Sequence, residues 1–232
     1  MALFKISETK HSLSLHFHIP ESANALSAQA AAELAKIQKK YKSWRKPVIV
    51  MSDHPKVFCS GGNLDDYKKL KGKAPGLKVN RAIEKALNEF GSWRVPKIAV
   101  IEGDVLGGGM EWLARFDYRL ATPNAFLAFW QKRIGLSSGW GGGSAWSAIL
   151  GEQTVRRLLL GGKILSAQEA QRLGLVDELY SSWKIRVEAL QLAATVDFEI
   201  SGDLVGWSAA KEARVFNSLW MGKTHRQVLK DW

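Results

Sequence analysis

A chain of 232 residues with 46% hydrophobic content is long enough for one full core plus a C-terminal appendage. Its single cysteine, Cys59, excludes an intrachain disulfide and suits a reducing, cytoplasmic setting, and no run of about 18 apolar residues argues for a membrane span. The net charge of +11 favours anionic partners, yet it is spread along the chain without a nucleic-acid-binding motif, which argues against nucleic acid.

The N-terminal segment lacks the basic start, apolar block and small-residue cleavage site of a secretory signal. His11 to Ile19 alternates apolar and polar residues and reads as a strand. Leu13, Leu15 and Phe17 share one face. His16 and His18 share the other, where a solvent-facing pair is the plain reading and a metal site the sharper one. Ser27 caps a helix running toward Trp44, with Ala31, Leu34, Ala35, Ile37 and Tyr41 as its apolar stripe. Pro47 opens the buried strand VIVMS. Val57 and Phe58 lead into the turn Ser60-Gly61-Gly62 and a short helix from Asn63. A second long helix covers about 77–93. Pro96 starts the buried strand KIAVIEG, which enters Gly107-Gly108-Gly109, and MEWLARF continues as a helix. DYRLATP reads as a strand with its exit turn. Helices follow at about 141–150, 152–160, 166–173, 182–196 and 207–221. Strand–helix alternation up to about residue 130 predicts an α/β fold. The basic clusters at 39–46, 68–73 and 131–133 read as solvated faces and loops.

Two strand–glycine turn–helix units carry the chemistry. Each places backbone N–H groups at a helix start, where the first donors lack intrahelical partners and the helix dipole adds positive charge. Two such groups aimed at one point make an oxyanion hole. Neither turn is a phosphate loop, since GxxxxGK[ST] and GxGxxG are both missing. Cys59 reads as a buried structural thiol; a nucleophilic role needs a histidine brought beside it.

The segments PESANALSAQ (20–29), VIVMSDHPKVFCSGGNLDD (48–66), PKIAVIEGDVLGGGMEWLARFDYRLATPNAFLAF (96–129) and LGGKILSAQEAQRLGLVDEL (160–179) together resemble the enoyl-CoA hydratase/isomerase family, also called the crotonase superfamily. The motifs FCSGG, LGGGME and LSAQEAQRLGLVDE stand in family order and at family spacing. The resemblance implies a crotonase-like spiral of ββα units over residues 1–180 and a C-terminal helical trimerisation region over 181–232. It also implies a homotrimer or hexamer. It implies Gly62 and Gly108 as the two oxyanion donors, and coenzyme A contacts near Ala25 and Leu26 and along the segment that includes Lys56, Ser60 and Gly61. No cofactor is bound permanently; coenzyme A enters as part of an acyl-CoA substrate.

Family hydratases carry two glutamates. Glu111 matches the first, three residues after Gly108 and on the same helical face, a half-buried carboxylate suited to proton transfer. The plain alternative is a helix-start glutamate stabilised by the dipole. The second position holds Gln131, an amide that orients water but cannot take its proton. Trp130 stands where proline is common, and Trp140 stands in the loop GLSSGWGGG, either narrowing the acyl pocket or filling core. An enoyl-CoA hydratase or isomerase working through Glu111 is the first expectation. Other enolate chemistry such as decarboxylation, a non-catalytic acyl-CoA-binding protein and an RNA-binding relative are the alternatives. No ligand cluster for a metal is evident in the sequence. Trp207, Ala210, Phe216, Leu219 and Trp220 are read as the face that covers a neighbouring subunit or packs on its own domain.

Overall fold

The computed structural model describes residues 2–196. The chain begins with an antiparallel hairpin, β1 (Phe4–Glu8) and β2 (Leu13–Phe17), followed by α1 (Ala28–Lys40). Three strand pairs come next: β3 (Val48–Ser52) with β4 (Val57–Cys59), β5 (Lys97–Ile101) with β6 (Asp104–Leu106), and β7 (Tyr118–Ala121) with β8 (Phe126–Ala128). After the first pair come α2 (Leu64–Lys68) and α3 (Lys73–Ser92); after the second comes α4 (Gly108–Leu113). After the third pair come a 3-10 turn over Trp130–Ile134, α5 (Gly142–Leu150) and α6 (Glu152–Gly161). β9 (Ile164–Ser166), α7 (Ala167–Arg172), β10 (Glu178–Leu179) and α8 (Ile185–Thr195) complete the described chain.

The first strand of each pair joins a six-stranded sheet of order β1-β2-β3-β5-β7-β10, and the second joins a four-stranded sheet of order β4-β6-β8-β9. The chain thus steps from sheet to sheet and into a helix, three times over. β2, β3, β5, β7 and β10 run parallel, as do β4, β6 and β8. The α/β expectation and its ββα units hold.

β3 and β5 are apolar runs because both their faces are covered. Alternate residues point to opposite sides. Val48 and Val50 enter the main core, while Ile49, Met51, Ile98 and Val100 pack against Ile185, Ala189 and Ala193 of α8. Trp112 sits at the centre of the main core, with the rings of Phe17, Phe58, Phe90 and Phe116 at 5.5, 6.0, 5.8 and 5.7 Å. Lys97 is buried and satisfied. Its Nζ donates to the carbonyls of Val95 (2.9 Å) and Trp93 (3.2 Å) and pairs with Asp117 at 2.9 Å. Asp117 also accepts from the Lys97 N–H at 2.7 Å, which gives it a structural role.

The caps Ser27 and Asn63 lie where the sequence puts them, and Ser166 adds a third. Ser27 accepts from the Ala30 N–H, Asn63 accepts from Asp65 and Asp66 N–H, and Ser166 with Glu169 forms a capping box. Two helices differ at their ends. α1 stops at Lys40, short of Trp44, and α3 begins at Lys73 because Pro75 is tolerated in a first turn. The short strands β1, β6, β8, β9 and β10 were not expected from the sequence. Each has two to five residues and is defined by its neighbour rather than by its own pattern.

The reading of His16 and His18 as simply solvent-facing is corrected. Their Nδ1 atoms lie 3.1 and 3.2 Å from the two oxygens of Asp53, which Lys5 also reaches at 2.8 Å. Burial works against the Asp53 charge, but Lys5 and His16 outweigh it and hold its pKa below the ordinary carboxylate value. No cluster fit to hold a metal occurs among the described residues, and no helix among them is long and apolar enough to cross a membrane. The expected helix at 207–221, with Trp207, Ala210, Phe216, Leu219 and Trp220, lies outside the described residues.

Trp112→Ala removes the ring that five phenylalanines share, Phe4 at 6.3 Å included, and is expected to cost about 3–5 kcal/mol of unfolding free energy in urea titration. A loss below about 1 kcal/mol would contradict the central place assigned to this ring.

Candidate active site

The two glycine turns meet. A Cβ placed on Gly61 would stand 2.9 Å from the Gly108 nitrogen and 3.0 Å from the Leu106 carbonyl oxygen. Gly61 has φ of +100°, which an L side chain rarely adopts, so glycine is required there twice over. Parallel pairing of β4 with β6 sets this approach, because each turn follows its strand directly. Among the described residues, neither the Gly62 N–H nor the Gly108 N–H meets a hydrogen-bond acceptor. Gly108 opens α4, so its N–H is one of the donors that a helix leaves unpaired.

Glu111 follows one turn later and is fully buried at 2% exposure, not half-buried as the sequence suggested. Its carboxylate accepts five hydrogen bonds. Oε1 takes Gln131 Nε2 at 3.1 Å and the Gly139 N–H at 3.1 Å. Oε2 takes Ser138 Oγ at 2.7 Å, the Trp140 N–H at 2.7 Å and the Gly142 N–H at 3.0 Å. A carboxylate offers about four lone-pair sites, so none is left for water in this arrangement. Gly142 lies directly on the glutamate; a Cβ there would meet Glu111 Cα, Cβ and Cγ at 2.5 Å.

Gln131 is likewise buried. Its Nε2 is committed to Glu111, while its Oε1 is buried without a partner. Among the described residues its Oε1 is thus an unpaired acceptor, while one N–H of Nε2 goes to Glu111.

Trp140 connects the two halves. Its ring carbons Cζ3, Cη2 and Cε3 lie 2.1, 2.5 and 2.8 Å from the position of a Cβ on Gly108, and Cη2 and Cζ2 lie 3.4 Å from one on Gly62. The benzene half of the indole thus bridges both glycines. Nε1 donates to Asn80 Oδ1 at 3.0 Å, an atom that also accepts from Tyr67 OH at 2.6 Å. The Trp140 carbonyl accepts from Arg115 at 3.2 Å.

The structure thus gathers Gly61, Gly62, Gly108, Glu111, Gln131 and Trp140 into one place. Leu26 adjoins them, since its N–H donates to the Gly61 carbonyl at 2.6 Å and its own carbonyl accepts from Asn63. Ala25 is buried beside it. Ser60 turns toward the 22–23 turn, with its N–H on Ala23 O and its hydroxyl on Ser22 O, both at 3.2 Å. Trp130 lies by Gly107 and stacks under Arg133 at 4.5 Å. Lys56 is exposed and holds the rim through its backbone, accepting from the Asp104 N–H at 2.9 Å. A cavity of about 540 Å³ opens elsewhere, between Asn88, Arg115, Asp117, Arg119 and Ile149, and none of the gathered residues lines it. Ser138, Gly139, Gly142, Asn80 and Tyr67 are parts of the site that sequence reading did not single out. The glycine run at 139–143 was the one local signal for the first three.

A family model described as enoyl-CoA hydratase/isomerase matches residues 9–206 of the chain. The ethylmalonyl-CoA decarboxylase of Danio rerio is 29% identical over 161 residues, 69% of this chain and 53% of that protein. The mitochondrial methylglutaconyl-CoA hydratase of Mus musculus is 30% identical over 158 residues, 67% of this chain and 50% of that protein. The chain spans about half the length of these curated relatives. The crystal structure of enoyl-CoA hydratase from Bacillus anthracis superposes with a TM-score of 0.90 at 21% identity, over 98% of this chain and 95% of that one, a likeness of fold.

Glu111→Gln places an amide NH₂ against donors and is expected to lower stability by about 2–3 kcal/mol, with faster hydrogen exchange at the Trp140 and Gly142 amides. Unchanged stability and exchange would show that the carboxylate does not hold the loop. Burial pushes the Cys59 thiol up to about 12, so it stays protonated at neutral pH. A disulfide reagent at pH 8 should find no thiol in the folded protein and one after denaturation; rapid reaction in the folded state would overturn the structural reading of Cys59.

Proposed function

The chain belongs to the enoyl-CoA hydratase/isomerase family, and from that premise we propose that it holds the carbonyl oxygen of an acyl-coenzyme A thioester on the Gly62 and Gly108 N–H groups and stabilises the enolate. The observation that carries this is the pair of N–H groups from two abutting turns that meet no acceptor among the described residues. Preorganised donors of this kind act where charge develops, with no reorganisation cost. Ala25, Leu26, Ser60 and Gly61 form the adjoining wall and are assigned to the coenzyme A moiety, with the exposed Lys56 available to its phosphates. No cofactor beyond coenzyme A is invoked, and assembly into a trimer or hexamer belongs to the same proposal.

Decarboxylation fits the acid–base groups better than hydration. Hydration needs a group that takes a proton from water. Gln131 cannot do so, and Glu111 has both oxygens committed. Decarboxylation needs no base. The bond between the α-carbon and the carboxylate breaks, its electron pair passes into the enolate, and carbon dioxide leaves. The negative oxygen rests on the two N–H groups until solvent water protonates the α-carbon. Gln131 positions the departing group's surroundings and does not titrate. A malonyl-type thioester such as ethylmalonyl-CoA, the compound named for one relative, is the substrate class. Hydration or isomerisation through Glu111 is the second reading. It is favoured by the placement of Glu111 one turn after Gly108 and by the hydratase relative at 30% identity. It requires the 138–142 loop to release a carboxylate oxygen.

Ethylmalonyl-CoA and crotonyl-CoA are to be offered in parallel. Carbon dioxide release is expected to exceed hydration by about 10²-fold, the usual worth of a missing general base. Hydration of crotonyl-CoA at a rate equal to or above decarboxylation would transfer the assignment to the second reading.

A further inference from the structure

The indole of Trp140 packs against both Gly62 and Gly108, whose N–H groups meet no acceptor among the described residues, and so borders the seat of the proposed thioester. It is itself buried, at 5% exposure. Its backbone is fixed at both ends of the residue. The N–H donates to Glu111 Oε2 at 2.7 Å, and the carbonyl accepts from Arg115 at 3.2 Å. Gly139 and Gly141, the second with φ of +77°, flank it, so the strap bends sharply around one bulky side chain. The ring is held by its packing in the core and by one hydrogen bond, from Nε1 to Asn80 Oδ1 at 3.0 Å. Asn80 is steadied in turn by Tyr67 OH, and Tyr67 itself packs over Gly62, its Cε2 3.1 Å from the position of a Cβ there. With the backbone fixed, the way open to this ring to leave the glycines is a change of side-chain rotamer.

We propose that Trp140 is the acyl-size determinant of this site: its indole swings off the Gly62 and Gly108 donors when a thioester enters, and then packs on the acyl group, so that short groups are accepted and long ones are not. Asn80 and Tyr67 are positioning residues that latch the ring in the closed arrangement. This rests on the thioester reading above. It adds the size of the acyl group, which the two N–H donors do not specify. The physical reason is volume. The indole fills the space beside the donors, and protein interiors leave little room for a ring and a long chain together. A short acyl group occupies the seat on the donors and lets the ring close against it. A long one keeps the ring out, with its apolar contacts unmade.

The test is calorimetric titration of the full chain with butyryl-CoA and decanoyl-CoA, which reports binding whatever the reaction. Wild type is expected to prefer butyryl-CoA. Trp140→Ala, checked for folding by circular dichroism, is expected to shift the Kd ratio toward decanoyl-CoA by at least about tenfold, as several methylenes become buried. An unchanged ratio in folded Trp140→Ala overturns the proposal. Asn80→Ala leaves the ring in place but removes its latch. It is expected to tighten both thioesters by the same factor, about fivefold for one hydrogen bond, without moving the ratio. No tightening in Asn80→Ala overturns the latch even where Trp140→Ala does not fold. Wild-type protein that binds neither thioester overturns the thioester reading itself, whereas binding without the ratio shift overturns only the role of Trp140.

Discussion

The buried carboxylate of Glu111 is the interaction on which the rest of the site depends. It is reached by one amide, one hydroxyl and three backbone N–H groups, all but the first from the 138–142 strap. A buried charge is tolerated only when hydrogen bonds replace its water, and here they do so in excess of its lone pairs. The consequence is geometric as well as energetic. With the strap fixed, the Trp140 ring lies against the two glycines. The same five bonds occupy the group that a hydratase mechanism would need free, so the device that builds the site also restricts its chemistry.

What brings the glycines together is the alternation of the strand pairs between two sheets. β4 and β6 are neighbours in the smaller sheet, so the turns that follow them emerge side by side. The larger sheet supplies rigidity. Its central strands are buried on both faces, by the aromatic cluster around Trp112 on one side and by α8 on the other. The donors therefore sit on packed elements, the arrangement in which preorganisation is most effective.

Much of this was legible in the residues. The apolar runs VIVMS and KIAVI, the caps Ser27 and Asn63, and the turns at Gly61-Gly62 and Gly107-Gly109 are local signals, and each lies where the sequence placed it. Gln131 beside Glu111 also emerged, since a family pattern puts both at one site. Less local features did not. β6, β8 and β9 have three residues each, too few to show a period, and exist because a neighbouring strand pairs with them. The burial of Glu111 depends on donors 20 to 31 residues away, and the hydrogen bond between His16 and Asp53 spans 37 residues. The direction of the Trp140 ring is set by Asn80, 60 residues earlier. Such contacts carry no mark in the sequence near the residues they join.

The most direct measurement is the infrared carbonyl stretch of a ¹³C-labelled saturated acyl-CoA thioester bound to the protein. If the Gly62 and Gly108 N–H groups hold the thioester oxygen, the bound band lies at lower frequency than the free one, because two donors draw charge onto that oxygen. A bound thioester whose band is unmoved from its position in water would contradict the assignment of the two glycines and, with it, the enolate chemistry built on them.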